Sequence, residues 1–187
     1  QSRRARLRLG DELRGEVLAS VAAAEAECAL VSTSQGHTLP AFRFRNGGAR
    51  TLLLAHGNAM DAGMSLGLCW LLGRRLGLDV VTYDYSGYGA ASGHPSVRHA
   101  APDVEAAWGW AVATGSAPET IVLFGQSIGS HAMCHLAASL PQVGAGPAGL
   151  VLHTPLLSGL NAIAVGGGAW APPPAGAGSP LQPPRAP

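Results

Sequence analysis

The sequence predicts an α/β fold, a mostly parallel sheet with helices on both faces, and three observations predict it. From residue 51 onward, short apolar runs alternate with helical patterns. Three of these runs close in loops of small residues: His56-Gly57-Asn58, Ser86-Gly87-Tyr88-Gly89 and Gly125-Gln126-Ser127-Ile128-Gly129. With 47% hydrophobic residues in 187, the chain can also supply one domain-sized core. Strand, loop and helix repeated in this way imply right-handed crossovers, hence parallel strands buried on both sides.

Ahead of the alternation, residues 11–27 are strong helix formers, with Asp11 and Glu12 favourably placed at the start. They predict a helix that ends near Cys28. Residues 29–33 and 38–44 predict a hairpin across Ser34-Gln35-Gly36-His37, and Pro40 places the second arm at or near a sheet edge. Met64, Leu68, Leu71 and Leu72 fall on one face of a helix that stops before Gly77, and a strand over 78–83 follows. Asp103 is the expected cap of a helix carrying Val104, Ala107, Trp108 and Ala111, and Pro118 precedes the next strand. Ile128, Ala132, Leu136 and Leu140 mark the helix after Ser127, and residues 149–153 are a further buried strand. Residues 166–187 hold seven prolines and five glycines, too little apolar surface to offset ordering, and predict a disordered tail. The domain reading is a basic segment and helix over 1–28, a partial α/β domain over 29–165, and the Pro/Gly/Ala-rich tail over 166–187.

A net charge of +1 gives no case for nucleic acid as a partner. All twelve basic residues are arginine; Arg3, Arg4, Arg6 and Arg8 form a local run, read as a solvated tail with contact to an acidic membrane surface or nucleic acid as the alternative. Cys28, Cys69 and Cys134 are odd in number and lack C-x-x-C spacing, so no disulfide framework or zinc site is indicated. A reducing, cytoplasmic compartment fits this usage, and no metal or cofactor is expected. No apolar run approaches the roughly 18 residues that span a bilayer.

The pattern G-x-S-x-G is by itself weak, since at this glycine and serine content about 0.3 matches arise by chance. Its setting carries the argument. Ile121-Val122-Leu123-Phe124 reads as a strand, and a helical pattern follows, so Ser127 sits where a nucleophile elbow holds its hydroxyl clear of the backbone. The loop His56-Gly57-Asn58 after an earlier strand is the kind of turn that contributes a backbone N–H to an oxyanion hole. The competing reading is a Gly-rich helix start with a capping serine.

Taken in order, His56-Gly57-Asn58, Asp84-Tyr85-Ser86-Gly87-Tyr88-Gly89, Gly125-Gln126-Ser127-Ile128-Gly129 and Leu152-His153-Thr154-Pro155-Leu156 resemble motifs of the α/β-hydrolase domain family 17 proteins, the protein depalmitoylases. The resemblance covers about residues 29–159. It implies an α/β-hydrolase-like fold with Ser127 as nucleophile and the backbone N–H groups of Asn58 and Ile128 as the oxyanion hole. Gly125 and Gly129 would be the elbow glycines. The implied substrate is a fatty acyl thioester on a protein cysteine, or a small acyl ester.

In this fold the acid and the histidine of the triad follow the serine in the chain. Here Glu119 is the last carboxylate side chain, and only His131, His135 and His153 follow Ser127. His131 and His135 run along the helix after the elbow; His153, His56 and Asp84 read as loop-shaping residues. The expectation is a fold incomplete at its C-terminal side, a truncated or mis-joined product lacking the two strands that bear acid and base, with one sheet edge uncovered. Two functions follow: the nucleophile half of a serine hydrolase, inactive or weakly active alone, or a half-fold serving as a binding module through its open edge or tail. The resembling family is anchored through clustered acylated cysteines, whereas Cys28 stands alone here at the predicted helix end, so membrane attachment is expected to be marginal.

Overall fold

The computed structural model describes residues 26–140 and 146–156. Its sheet has six strands: β1 (Ala26–Ser32), β2 (Thr38–Phe44), β3 (Thr51–Ala55), β4 (Asp79–Tyr83), β5 (Ile121–Gln126) and β6 (Gly149–His153). Among the described residues three α-helices lie between them: α1 (Ala62–Leu76), α2 (Ala100–Ala113) and α3 (Gly129–Ser139). The strand order is β1-β2-β4-β3-β5-β6, with β3, β4, β5 and β6 parallel and the β1–β2 hairpin antiparallel.

The hairpin turn is local chemistry. Thr33 Oγ1 accepts the N–H groups of Gln35 and His37 at 3.3 and 3.1 Å, and Gly36 supplies a φ of +80°. At the far end, Arg45 grips the Glu27 carboxylate at 2.6 and 3.1 Å. Here the structure departs from the end of the expected helix over 11–27, because β1 already begins at Ala26 and Cys28 is an exposed strand residue. Alanine and glutamate favour helix in isolation, but the seven-residue ladder against β2 satisfies the backbone and overrides that preference. The rest of that expected helix, with the basic segment before it, falls in residues 1–25, outside the described ones.

Pro40 lies near the sheet edge, as expected, though not on the edge strand itself. β2 lies between β1 and β4, one strand in, and the β4 ladder starts only at Ala41. Pro40 contributes just its carbonyl on that side, accepting the Asp84 N–H at 3.0 Å, so its missing N–H costs nothing there.

Alternation along the strands builds a core on each face. Leu53, Ala55, Val81, Tyr83, Ile121 and Leu123 pack with Val104, Ala107, Trp108 and Ala111 of α2 and Ala132, Met133 and Leu136 of α3. Leu52, Leu54, Val80 and Phe44 face α1. The α1 stripe that reaches the sheet is Ala62, Ser65, Cys69 and Gly73, while Met64 of the predicted face is 64% exposed. Small residues win this face because the helix lies close: a methyl group on Gly73 would meet Asn46 Nδ2 at 2.4 Å. Asp61 caps α1 by accepting the Met64 N–H, and Gly77 ends it in the left-handed region.

Below the sheet, Arg43 is buried against Asp79 at 3.0 Å and also donates to Thr114 Oγ1 at 2.7 Å. The pair ties β2 and β4 to the end of α2. At the opposite flank β6 is the edge among the described residues, with Leu150, Val151 and Leu152 exposed by 38–45%. The predicted tail over 166–187 lies outside the described residues, and no described helix is long and apolar enough to cross a membrane.

Candidate functional site

Ser127 stands between β5 and α3 with a φ of +53°, a left-handed conformation that costs a non-glycine residue of order 1 kcal/mol or more. The neighbouring glycines are required by space. A methyl group on Gly125 would lie 2.7 Å from Ser130 Cα, and one on Gly129 would lie 2.3 Å from the Ala55 carbonyl oxygen. The turn is held by the Ser127 N–H donating to the His153 carbonyl at 2.9 Å, and by the Ser127 carbonyl accepting the Ser130 N–H and hydroxyl. Ser127 Oγ takes no hydrogen bond among the described residues.

The loop after β3 lies against this elbow. A methyl group on Gly57 would sit 3.7 Å from Ser127 Cβ, ordinary contact distance. His56 is fully buried, with Nδ1 donating to the Gly57 carbonyl at 2.9 Å and Nε2 3.7 Å from Asp84 Oδ1. Asp84 Oδ1 accepts the Ala62 N–H at 2.6 Å, so this carboxylate joins its own loop to the start of α1. Tyr85 donates to the His56 carbonyl at 2.7 Å, and Tyr88 donates to Asn58 Oδ1 at 2.8 Å. Among the described residues, neither the Asn58 nor the Ile128 backbone N–H has an acceptor. The fold therefore brings Ser127, Ile128 and the turn bearing Asn58 to one end of the sheet, with Gly125 and Gly129 beneath them.

Behind the Tyr88 loop is a polar clasp that the sequence reading missed. Asp103 is buried in the first turn of α2 and accepts the Ser86 N–H at 2.8 Å and hydroxyl at 2.7 Å. Its expected role as helix cap is thus corrected: α2 begins three residues earlier, after a short turn capped by Ser96, and Asp103 faces inward. Burial pushes its carboxyl above the ordinary range, against the lowering effect of the Ser86 bonds and of His99 and His37. His37 Nδ1 bonds Ser86 Oγ at 2.8 Å, and the His37 and His94 rings lie 4.6 and 5.0 Å from that of His99. Nothing local in the chain announces contacts between positions this far apart.

Two of the three histidines after the elbow have ring contacts with residues other than Ser127. His135 pairs with Glu105 of α2 at 3.3 Å on the surface. His153 is exposed on β6, its ring 6.3 Å from Phe124. No described histidine side chain hydrogen-bonds the Ser127 hydroxyl, and no described group of three His, Cys, Asp or Glu side chains is placed to hold a metal ion.

No family model matches the chain. It is 39% identical over 139 residues to human alpha/beta hydrolase domain-containing protein 17B, covering 72% of this chain and 46% of that protein. It is 44% identical over 117 residues to the 17C protein of Xenopus laevis, covering 62% and 36%. The chain thus spans about half the length, or less, of these curated relatives. Among solved structures, an alpha-beta hydrolase from Vibrio vulnificus superposes with a TM-score of 0.73 at 22% identity, over 83% of this chain and 55% of that one. A thermostable carboxylesterase cloned from a metagenomic library gives 0.62 at 20%, over 81% and 55%. At such identities these two likenesses speak for the fold alone. Fold and sequence together place the chain in the α/β-hydrolase superfamily, with the alpha/beta hydrolase domain-containing proteins 17B and 17C as its homologues.

Proposed function

We propose that this chain carries the nucleophile half of a serine hydrolase that cleaves acyl esters and thioesters, in the manner of a protein depalmitoylase. The observation that carries the reading is the strained Ser127, at φ +53°, beside the Asn58 and Ile128 backbone N–H groups, which have no acceptor among the described residues. In the reaction, Ser127 Oγ adds to the acyl carbonyl and its proton passes to a base. The carbonyl oxygen becomes an oxyanion between the Asn58 and Ile128 N–H groups, each such donor worth about 2.7–4 kcal/mol of barrier. Collapse expels the thiolate or alkoxide, which takes up the proton, and water then releases the acid from the serine.

Serine needs an adjacent base at neutral pH, and no carboxylate follows Glu119 in this sequence. The acid and base of this reaction would come from outside residues 26–156. The substrate is an acylated protein or a small acyl ester, and three unpaired cysteines suit the cytoplasmic side of a membrane.

A fluorophosphonate probe tests the reading on the 187-residue chain and on a chimaera joining it, from residue 156, to the C-terminal half of human 17B. Labelling at Ser127 in the chimaera, lost in Ser127→Ala and faint in the chain alone, is expected. A folded chimaera that never labels would sink the proposal. A folded, monomeric chain with no labelling in either form would favour the binding-module reading, for which the exposed β6 edge is the supporting feature.

A further inference from the structure

We propose that Tyr88 is a positioning residue of the Ser127 site, holding the Asn58 turn in the conformation that keeps its backbone N–H ready for an acyl oxyanion. The inference rests on the serine-hydrolase reading above and adds a residue to it. The turn it concerns needs external support, because Asn58 and Ala59 are exposed and Ala59 is itself left-handed at φ +55°. Side-chain bonds to the main chain secure the residues before and after it: the Tyr85 hydroxyl donates to the His56 carbonyl, and Asp84 Oδ1 accepts the Ala62 N–H. Asn58 itself is held by one hydrogen bond among the described residues, from the Tyr88 hydroxyl to its Oδ1 at 2.8 Å.

Tyr88 is well built for that task. Its ring packs at 5.4 Å from Tyr85 and 5.8 Å from His56, so the hydroxyl cannot swing freely. Its loop is fixed from both sides: the Tyr88 N–H donates to the Tyr85 carbonyl, and the Tyr88 carbonyl accepts the Ala91 N–H, both at 2.8 Å. Gly87 and Gly89 at φ +79° and +51° let the loop pass against Pro95 and Asp84. Because a phenol hydroxyl donates here, the Asn58 carboxamide is oriented with its oxygen towards Tyr88 and its two N–H groups free of described partners. An oxyanion donor acts through placement, so a turn left free to wander loses rate without losing the donor.

The test is a double-mutant cycle on the full chain and on the chimaera above, using Tyr88→Phe and Asn58→Ala. Both variants keep the Asn58 backbone N–H, and Tyr88→Phe keeps the ring packing. Turnover of p-nitrophenyl butyrate is measured after subtracting the Ser127→Ala background, together with hydrogen exchange of the Asn58 amide. We expect each single variant to lower kcat by about 10-fold with KM little changed, the double variant to lose no more than the worse single, and the Asn58 amide to exchange faster. Unchanged kcat in a folded Tyr88→Phe, or losses that multiply in the double variant, would overturn the assignment. If wild type shows no Ser127-dependent turnover in either form, the hydrolase reading fails, and the amide exchange alone decides whether Tyr88 fixes the turn.

Discussion

Gly129 and Ala55 are in backbone contact: a methyl group on the glycine would stand 2.3 Å from the alanine carbonyl oxygen and 2.9 Å from its Cβ. Neither neighbour is the end of a flexible side chain, so nothing can step aside cheaply. Gly129→Ala is expected to destabilise the fold by about 2–3 kcal/mol through overpacking. Urea denaturation monitored by circular dichroism measures it, and a midpoint equal to wild type would refute the close approach.

Gly109 is the converse case. It lies exposed in α2, and a methyl group there would touch nothing within 4 Å. Gly109→Ala should raise stability by about 0.5–1 kcal/mol, from helix propensity and a less free unfolded chain. The same denaturation assay reads this as a shift to higher urea.

Arg43 and Asp79 form an ion pair with side chains only 3% and 9% exposed. Removing one partner leaves a buried charge unanswered, so Arg43→Met should cost about 3–5 kcal/mol. Replacing both, as Arg43→Met with Asp79→Leu, should recover part of that loss, although the Asn46 N–H would lose its bond to Asp79 Oδ1. A double variant weaker than the single would show that the hydrogen bonds outweigh the charge.

Asp103 gives a pH signature. Burial raises its carboxyl above the ordinary value of 3.8, so the folded protein binds that proton more readily than the unfolded chain. Its favourable contribution is complete below pH 3.8 and lost as pH rises through the folded value. The stability difference between wild type and Asp103→Asn should therefore move in favour of wild type as pH is lowered from 7 towards 4. Thermal midpoints across that range check the sign, and movement the other way would contradict it.

Cysteine accessibility is simpler to read. Cys69 is fully buried and its thiol is pushed up to about 12 by desolvation, whereas Cys28 and Cys134 are exposed. N-ethylmaleimide under native conditions should add to Cys28 and Cys134, and to Cys69 only after denaturation. Peptide mass spectrometry locates the adducts; early labelling of Cys69 would mean that α1 does not sit on the sheet as described.

The sequence made the parallel strands, the hairpin and the elbow legible because each is specified by neighbours in the chain. Ile121 to Phe124 alternate sides of the sheet, and Gly125 and Gly129 bracket a serine at the spacing a strand-to-helix turn demands. What escaped was set by tertiary contact. The run from Ala26 to Cys28 has helical composition and becomes strand only because β2 offers it a ladder. Asp103 carries the residue type of a cap, yet its partner Ser86 lies 17 positions away, and the Tyr88–Asn58 bond spans 30. Composition and periodicity have no access to such pairs; they depend on which loops the strand order gathers at one rim.

The Ser127 amide ends on the His153 carbonyl, and the Leu156 amide ends on Ser130 Oγ in the first turn of α3. Strand β6 is thus a buttress for the elbow and not simply the next strand out. A fragment stopped after α3 would keep every letter of the G-x-S-x-G motif while releasing the backbone that bends it. A piece that keeps both of these bonds runs at least through Leu156, and expression boundaries drawn from the motif alone would cut them away.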